Sequence, residues 1–285
     1  MTAPKQAVET ENGRYYTIPG YEDTTFVSVT NTINALSKPA LYNAYAKRAG
    51  VRAVDQEAEW HAIQQEEGDE AAKKWIARGM RDYADYTSAL GSGAHALCEM
   101  YSEARYDTQL HTRILPPRCM EKVAHHAEKM AAYEGNVNQA YAKMQRLFEQ
   151  YCKFIEDAGA EILATEMTVC NPELGYAGTL DNIVRITGGI SKNYVLDIKT
   201  GGVYPDSVPL QLSAYRHATH ATDGAKTWEQ DIPIDGAIVL QLKPQSYKAE
   251  YVRSDVVVFR KFLAVQAVWE WQHGMSKEAV GSQWR

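Results

Sequence analysis

Two short stretches combine residue types that could perform chemistry, Gly-Thr-Leu-Asp ending at Asp181 and Leu-Asp-Ile-Lys ending at Lys199. Side chains alternate between the two faces of a strand, so Asp197 and Lys199 share one face while the leucine and isoleucine share the other. The apolar neighbours predict a central strand, and central strands seldom carry unpaired charges. Asp197 and Lys199 are therefore either a structural ion pair or part of a functional site.

A hairpin would bring two aspartates together. Residues 176–186 and 194–200 are rich in β-branched residues and are bounded by turn residues, which predicts two neighbouring strands. If these strands pair, Asp181 and Asp197 converge at one end of the sheet. Adjacent carboxylates repel each other unless a cation lies between them, and Mg²⁺ and Mn²⁺ prefer oxygen ligands. The spacing predicts a divalent metal site, although paired carboxylates also occur in glycosidases, which would leave Lys199 without a role.

The elements that must position these residues follow from the hydrophobic pattern. Helical periodicity starts at Ser28, which with Thr30 is a candidate cap, and Pro39 divides the segment. Further helices are predicted over residues 55–90 and 119–158, whereas the glycine-containing segment 91–106 is expected to be a loop feeding a helix. The later part predicts strands at 162–170, 176–186, 194–200, 234–242 and 247–252, and helices at 207–221 and 254–275.

This order of elements predicts an α/β (α+β) fold in which helices flank a mixed central sheet of about five strands. The 285 residues contain no convincing linker. We therefore expect a single domain over 1–285, with a mainly helical N-terminal part (1–158) and a sheet-containing core (159–285).

Charge and hydropathy restrict the partners. Thirty basic and thirty-six acidic residues give a formal net charge of −6, so a nucleic acid would need local positive charge or bound metal. The sequence contains no apolar run of 18 residues, so no membrane-spanning helix is predicted. The N-terminus has neither an apolar signal region nor an arginine-rich transit pattern, which favours a cytoplasmic protein.

In sequence order, the candidate residues resemble the PD-(D/E)XK nuclease superfamily. Asp181 followed by Asp197-Ile198-Lys199 is similar to its signature. Three further features resemble the RecB-like exonuclease branch, in particular phage-type relatives of the CRISPR adaptation nuclease: His95 four residues after a glycine, Glu166 on the preceding strand, and the QxxxY pair Gln211 and Tyr215. The resemblance covers about residues 91–220 and depends on the ordered set, since an isolated DxK is common by chance.

The resemblance implies a restriction-endonuclease-like core and a metal-dependent DNA exonuclease of phage or bacterial DNA recombination, repair or processing. It implies one or two Mg²⁺ or Mn²⁺ ions bound by His95, Asp181, Asp197 and the backbone carbonyl of Ile198. The catalytic residues it implies are Glu166, Asp181, Asp197 and Lys199. Substrate contacts are expected from Gln211 and Tyr215.

Each of these assignments has an alternative. His95 could be an ordinary imidazole on a helix surface, and Glu166 could face solvent. Gln211 and Tyr215 share a helix face, where they contact DNA, orient the site or simply pack. The function also has alternatives: a catalytically silent protein that binds DNA ends or single strands, or a structure-specific endonuclease of the same fold.

Cofactors and partners complete these expectations. Some members of the family hold an iron–sulfur cluster through one early and three C-terminal cysteines, but no cysteine follows Cys170 here, so we expect no iron–sulfur cluster. The expected partners are DNA ends or single strands, with a recombination protein as a further candidate, and no membrane. An oligomer is compatible with the sequence.

Overall fold

A mixed sheet of ten strands forms the centre of the computed structural model, which describes residues 7–10, 13–37, 39–106, 117–187, 189–274, 276 and 278–281. The strands are β1 (Ala7–Thr10), β2 (Gly13–Thr17), β3 (Thr25–Ser28), β4 (Ala160–Asn171), β5 (Tyr176–Ile186), β6 (Lys192–Lys199), β7 (His220–Thr222), β8 (Thr227–Glu229), β9 (Gly236–Lys243) and β10 (Ser246–Val252). The helices are α1 (Val29–Ile33), α2 (Pro39–Asp55), α3 (Glu57–Glu67), α4 (Asp69–Tyr106), α5 (Pro117–Glu134), α6 (Val137–Asp157), α7 (Val208–Arg216) and α8 (Val256–His273). The predicted fold class, a mixed sheet flanked by helices, is confirmed.

The arrangement of strands around β5 leaves an opening at one edge of this strand. One edge of β5 pairs along its length with antiparallel β4. On the other edge, β6 pairs with β5 as far as Asn182, and β3 pairs with it only at Tyr176 and Ala177. On this edge of β5, residues 178–181 therefore lie in a gap between the end of β3 pairing and the start of β6 pairing. Asp181 is at the β6 side of this gap.

Apolar clusters cover both faces of the sheet. On one face, α7 and α8 contribute Leu212 and Phe262 to a cluster with Ile183 and Val195. On the other face, α4 and α6 contribute Cys98 and Leu147 to a second cluster, which also contains Leu196 and Ile198. The predicted burial of Leu196 and Ile198 on a central strand is confirmed, since β6 lies between β5 and β9.

The helical part agrees with the sequence pattern at its start. Ser28 is the N-cap of α1, where its hydroxyl accepts a hydrogen bond from the amide of Asn31 at 3.0 Å. Pro39 is the first residue of α2, as expected of a residue that tolerates only the first turn of a helix. The predicted division at Pro39 is confirmed.

The loop predicted at the start of 91–106 is wrong, because the whole segment belongs to the 38-residue helix α4; the helix predicted after that loop is confirmed. Its glycines permit close packing instead of a turn. A Cβ added at Gly93 would lie 2.5 Å from the side chain of Met144, and one at Gly91 would lie 3.0 Å from Thr200 Oγ1. The two glycines therefore let α4 approach α6 and the end of β6.

Two further expectations differ from the structure. The helix predicted over 207–221 ends at Arg216, and His220–Thr222 form β7, which pairs with β4. The sheet has ten strands where about five were expected. The additional strands β1, β2, β3, β7 and β8 contain only three to five residues each, too few to produce a clear alternating pattern. Within the described part of the chain, no helix is long and apolar enough to cross a membrane.

Candidate metal centre

The Asp181 carboxylate occupies the point where β5 and β6 separate. The register that pairs Asn182 with Leu196 places Asp181 opposite Asp197 when it is continued by one residue. Beyond this position Asp181 Oδ2 accepts a hydrogen bond from the amide of Ile198 at 2.6 Å, so a side chain replaces the missing main-chain partner. The N–H and C=O of a strand residue point to the same side, and the Ile198 carbonyl therefore faces the same gap.

His95 reaches this carboxylate from the middle of α4. Its Nδ1 lies 3.5 Å from Asp181 Oδ1. Burial disfavours the charged imidazole, but the charge and hydrogen bonding of Asp181 and the charge of Glu166 together outweigh it, and the pKa of His95 is raised. Burial also opposes ionisation of Asp181, yet His95, Lys199 and the Ile198 amide together lower the pKa of that carboxyl. His95 and Asp181 therefore form a partly buried pair, with side chains 24% and 19% exposed, that stabilises charges of opposite sign.

Glu166 lies across from Asp181 on the other neighbouring strand. β4 pairs Thr165 with Asn182 and Met167 with Leu180, which leaves Glu166 opposite Asp181. Among the described residues it is the only non-glycine with a positive φ, at 45°. Such a conformation costs about 1–3 kcal/mol and is concentrated at functional sites. Glu166 is exposed, as the solvent-facing alternative expects, but its backbone conformation is not that of an ordinary strand residue.

Electrostatics also set Glu166 apart. Burial first, and then the negative charges of Asp181 and Glu99, raise the pKa of Glu166 to about 8. A carboxyl group in such a position binds a proton near neutral pH, because a second negative charge beside Asp181 is unfavourable. A bound divalent cation would remove that penalty and favour the ionised form.

His95, Glu166 and Asp181 each place a ligand atom within 4.8 Å of the others. Two carboxylates and an imidazole suit a borderline-hard divalent ion such as Mn²⁺, and carboxylates alone suit Mg²⁺. The donor set therefore fits the predicted metal. Glu166, which was expected to be catalytic without being a ligand, belongs to this group, whereas Asp197 does not.

Asp197 instead makes a buried ion pair with Lys199. Lys199 Nζ donates to Asp197 Oδ1 at 2.7 Å and lies equally close to Oδ2, but the direction of approach gives no hydrogen bond to Oδ2. Asp197 is only 3% exposed, and Oδ2 has no hydrogen-bond partner among the described residues. Both oxygens of this carboxylate therefore lie against the ammonium of Lys199.

The charges of this pair are mutually dependent. Burial raises the pKa of Asp197, and the nearby Asp181 adds to the effect against the opposing charge of Lys199. Burial disfavours the ammonium of Lys199, but Asp197 and Asp181 outweigh it and raise the pKa of Lys199. Lys199 is therefore held as a cation beside the carboxylates.

The predicted substrate-contact pair lies under the strand that carries Asp181. Tyr215 is 5% exposed and accepts a hydrogen bond from Gln211 Nε2 at 3.2 Å. A Cβ on Gly178 would lie 2.6 Å from the Tyr215 ring, so the glycine of Gly-Thr-Leu-Asp provides room for this ring. Tyr215 thus packs against β5, and direct contact with DNA stays a prediction for the half-buried Gln211.

Sequence reasoning did not identify two structures beside the centre. Lys122 on α5 donates to both oxygens of Glu99 on α4 at 3.1 Å, and Glu99 follows His95 by one helical turn. A buried hydrogen-bonded triad joins α4, α6 and β5 through Ser102, Tyr151 and Asn182. The only available signal was the position of Asn182 directly after Asp181, because the other partners are distant in sequence.

Comparison with protein-family models finds none that matches this chain, and comparison with curated proteins finds no significant relative. Membership of the PD-(D/E)XK superfamily therefore stays a prediction from the motifs. The geometry of the centre has to support any functional assignment, independently of that resemblance.

Proposed function

We propose that this protein is a metal-dependent deoxyribonuclease that hydrolyses phosphodiester bonds, acting as an exonuclease on DNA ends. The observation that supports it is the convergence of His95, Glu166 and Asp181 within 4.8 Å, with the Lys199–Asp197 ion pair beside them. A long helix contributes His95 and the sheet contributes the carboxylates. The site therefore needs both the helical and the sheet-containing parts of the proposed single domain.

The residues of the centre have separable roles in such a reaction. A bound Mg²⁺ or Mn²⁺ supplies a water of lowered pKa and neutralises charge on phosphate oxygens. His95, Glu166 and Asp181 would hold the ion, and the Ile198 carbonyl would be a further ligand. Lys199 stays protonated, and Asp197 holds its ammonium group in place. A cation held in this way stabilises the charge that develops on the phosphate without reorganisation.

The alternatives fit the centre less well. A silent DNA-binding protein gains nothing from buried carboxylates that repel phosphate unless a cation is bound. A glycosidase needs a protonated and an ionised carboxyl group, but has no use for the lysine and imidazole that accompany them. The preference for exonuclease over endonuclease comes from the family resemblance and is decided by the choice of substrate below.

The test uses linear duplex, linear single-stranded and closed circular DNA with Mg²⁺, Mn²⁺ or EDTA. Lys199→Ala should reduce the cleavage rate by about 10²–10³-fold, and Asp181→Asn should abolish metal-dependent cleavage. Exposed residues provide matched controls: Lys248→Ala and Asp206→Asn should retain full activity. Cleavage that survives EDTA, or that Lys199→Ala leaves unchanged, contradicts the proposal. Equal attack on circular and linear DNA would identify an endonuclease instead.

A further inference from the structure

A cavity lies about one helical turn along α4 from His95 of the candidate metal centre. It has a volume of about 770 Å³ and lies between α2, α4 and α5. Ser92 and Ser88, which line it, precede His95 by three and seven residues on α4. On α5, the lining residue His126 follows Lys122 by four residues, one turn beyond the ion pair with Glu99. With 1.5 Å of rise per residue, Ser92 lies about 5 Å along the axis of α4 from His95, and His126 lies a similar distance along α5 from Lys122.

The charge of the lining differs from that of the whole chain. Four cationic side chains line the cavity, Arg48, Arg52, Arg78 and Lys129, against three carboxylates, Asp55, Asp82 and Asp85. The balance is +1, whereas the whole chain carries −6. Asp82 is already paired with two of the arginines, at 2.6 Å from Arg52 and 3.2 Å from Arg78. A polyanion would therefore meet less repulsion here than over the average surface.

Aromatic rings stand beside these charges. The rings of Tyr86 and Tyr133 are stacked with centroids 5.0 Å apart and an interplanar angle of 27°. Both residues line the cavity, and Tyr133 is 48% exposed. Aromatic rings next to cationic side chains are the combination on which unpaired bases stack.

Two of the lining residues also carry polar atoms that are closed off from solvent. His126 is 8% exposed, and neither its Nδ1 nor Arg52 Nε has a hydrogen-bond partner in the described part of the chain. Burial and nearby positive charges lower the pKa of His126 to about 4, so the neutral ring carries one donor and one acceptor. The neutral His126 therefore leaves the charge balance of the lining at +1.

We propose that this cavity binds the bases and phosphates of an unpaired DNA strand next to the metal centre. The inference rests on the proposed function and specifies its substrate as single-stranded at this point. A space of about 770 Å³ is of the size that holds a small ligand and excludes a duplex. Tyr86 and Tyr133 stack a base, and Lys129 and Arg48 meet phosphates.

Binding is measured without catalysis, by fluorescence anisotropy of a labelled oligodeoxythymidine in EDTA. Tyr133→Ala and Lys129→Gln should each weaken binding about 5–20-fold, and the double variant by more. The matched controls Tyr251→Ala and Lys261→Gln, exposed on β10 and α8, should stay within twofold of the native protein. Thermal unfolding of each variant identifies any loss that comes from misfolding.

The outcomes separate this inference from the proposed function. Unchanged affinity in the double variant, or no binding of the single strand by the native protein, overturns the cavity assignment even if metal-dependent cleavage is observed. An equal loss of affinity for blunt duplex also overturns it, because the cavity would then not select an unpaired strand. Selective loss of single-strand binding supports the cavity even if cleavage is absent and the nuclease proposal fails.

Discussion

The buried triad of Tyr151, Ser102 and Asn182 should be more important for the metal centre than its distance in sequence indicates. The Tyr151 hydroxyl donates to Asn182 Oδ1 at 3.0 Å and lies 2.8 Å from Ser102 Oγ. Ser102 is on α4, which carries His95, and Asn182 directly follows Asp181 on β5. The triad therefore holds together the two elements that supply the centre.

Tyr151→Phe removes one hydroxyl from this triad and keeps the ring. Ser102 retains its bonds to the Cys98 carbonyl and to Asn182 Nδ2, but Asn182 Oδ1 loses its buried donor. An unsatisfied buried acceptor costs about 1–3 kcal/mol, which corresponds to a fall in Tm of roughly 2–5 °C for a chain of this size. Looser contact between α4 and β5 should also weaken Mn²⁺ binding about tenfold.

The comparison is with Tyr247→Phe, which removes a surface hydrogen bond from the Tyr247 hydroxyl to Asp157 at 2.7 Å. That bond is exposed to water and should contribute less than about 1 kcal/mol. Tm is measured by circular dichroism and Mn²⁺ affinity by calorimetry. If Tyr151→Phe is as stable as Tyr247→Phe, or binds Mn²⁺ as tightly as the native protein, the triad does not hold the centre together.

Three further predictions concern single side chains. Burial and neighbouring carboxylates raise the pKa of Glu166 to about 8, so a metal ion that binds below this pH must displace a proton from Glu166. This proton release should make the Mn²⁺ affinity rise about tenfold more per pH unit in the native protein than in Glu166→Gln, as calorimetry from pH 6 to 8 can measure. Because the pKa of His126 is lowered to about 4 in the folded protein, protonation favours unfolding as pH falls from about 6.5 toward 4, and His126→Gln should lose less Tm than the native protein over that range; equal losses contradict this. Gly178→Ala should destabilise by about 1–3 kcal/mol through contact with Tyr215, whereas Gly201→Ala, with open space around it, should not, as urea unfolding can measure.

Local patterns in the sequence identified several elements without knowledge of the fold. Alternation of charged and apolar residues around Asp197 predicted a central strand, and Ser28 and Pro39 marked helix starts because capping and proline geometry depend on adjacent residues alone. The convergence of Asp181 and Asp197 also followed from local information, since a hairpin joins neighbouring segments.

The same local reasoning was wrong where a distant partner decides the structure. Glycines at 91 and 93 favoured a loop in the sequence, but they lie in a helix because Met144 and Thr200 occupy the space that a Cβ would need. The residues at 220–222 extend a helical pattern, but pairing with β4 turns them into a strand. Tertiary contacts in these cases outweigh propensities, which amount to less than about 1 kcal/mol per residue.

The sequence by itself determined which residue types are available for metal chemistry and the order in which they occur. Only the tertiary structure decided that Glu166, with its positive φ, joins His95 and Asp181, while Asp197 pairs with Lys199. The physical reason is that ligand geometry depends on distances of a few ångströms between α4, β4 and β5. Those distances are set by helix packing and strand divergence, which no short motif encodes.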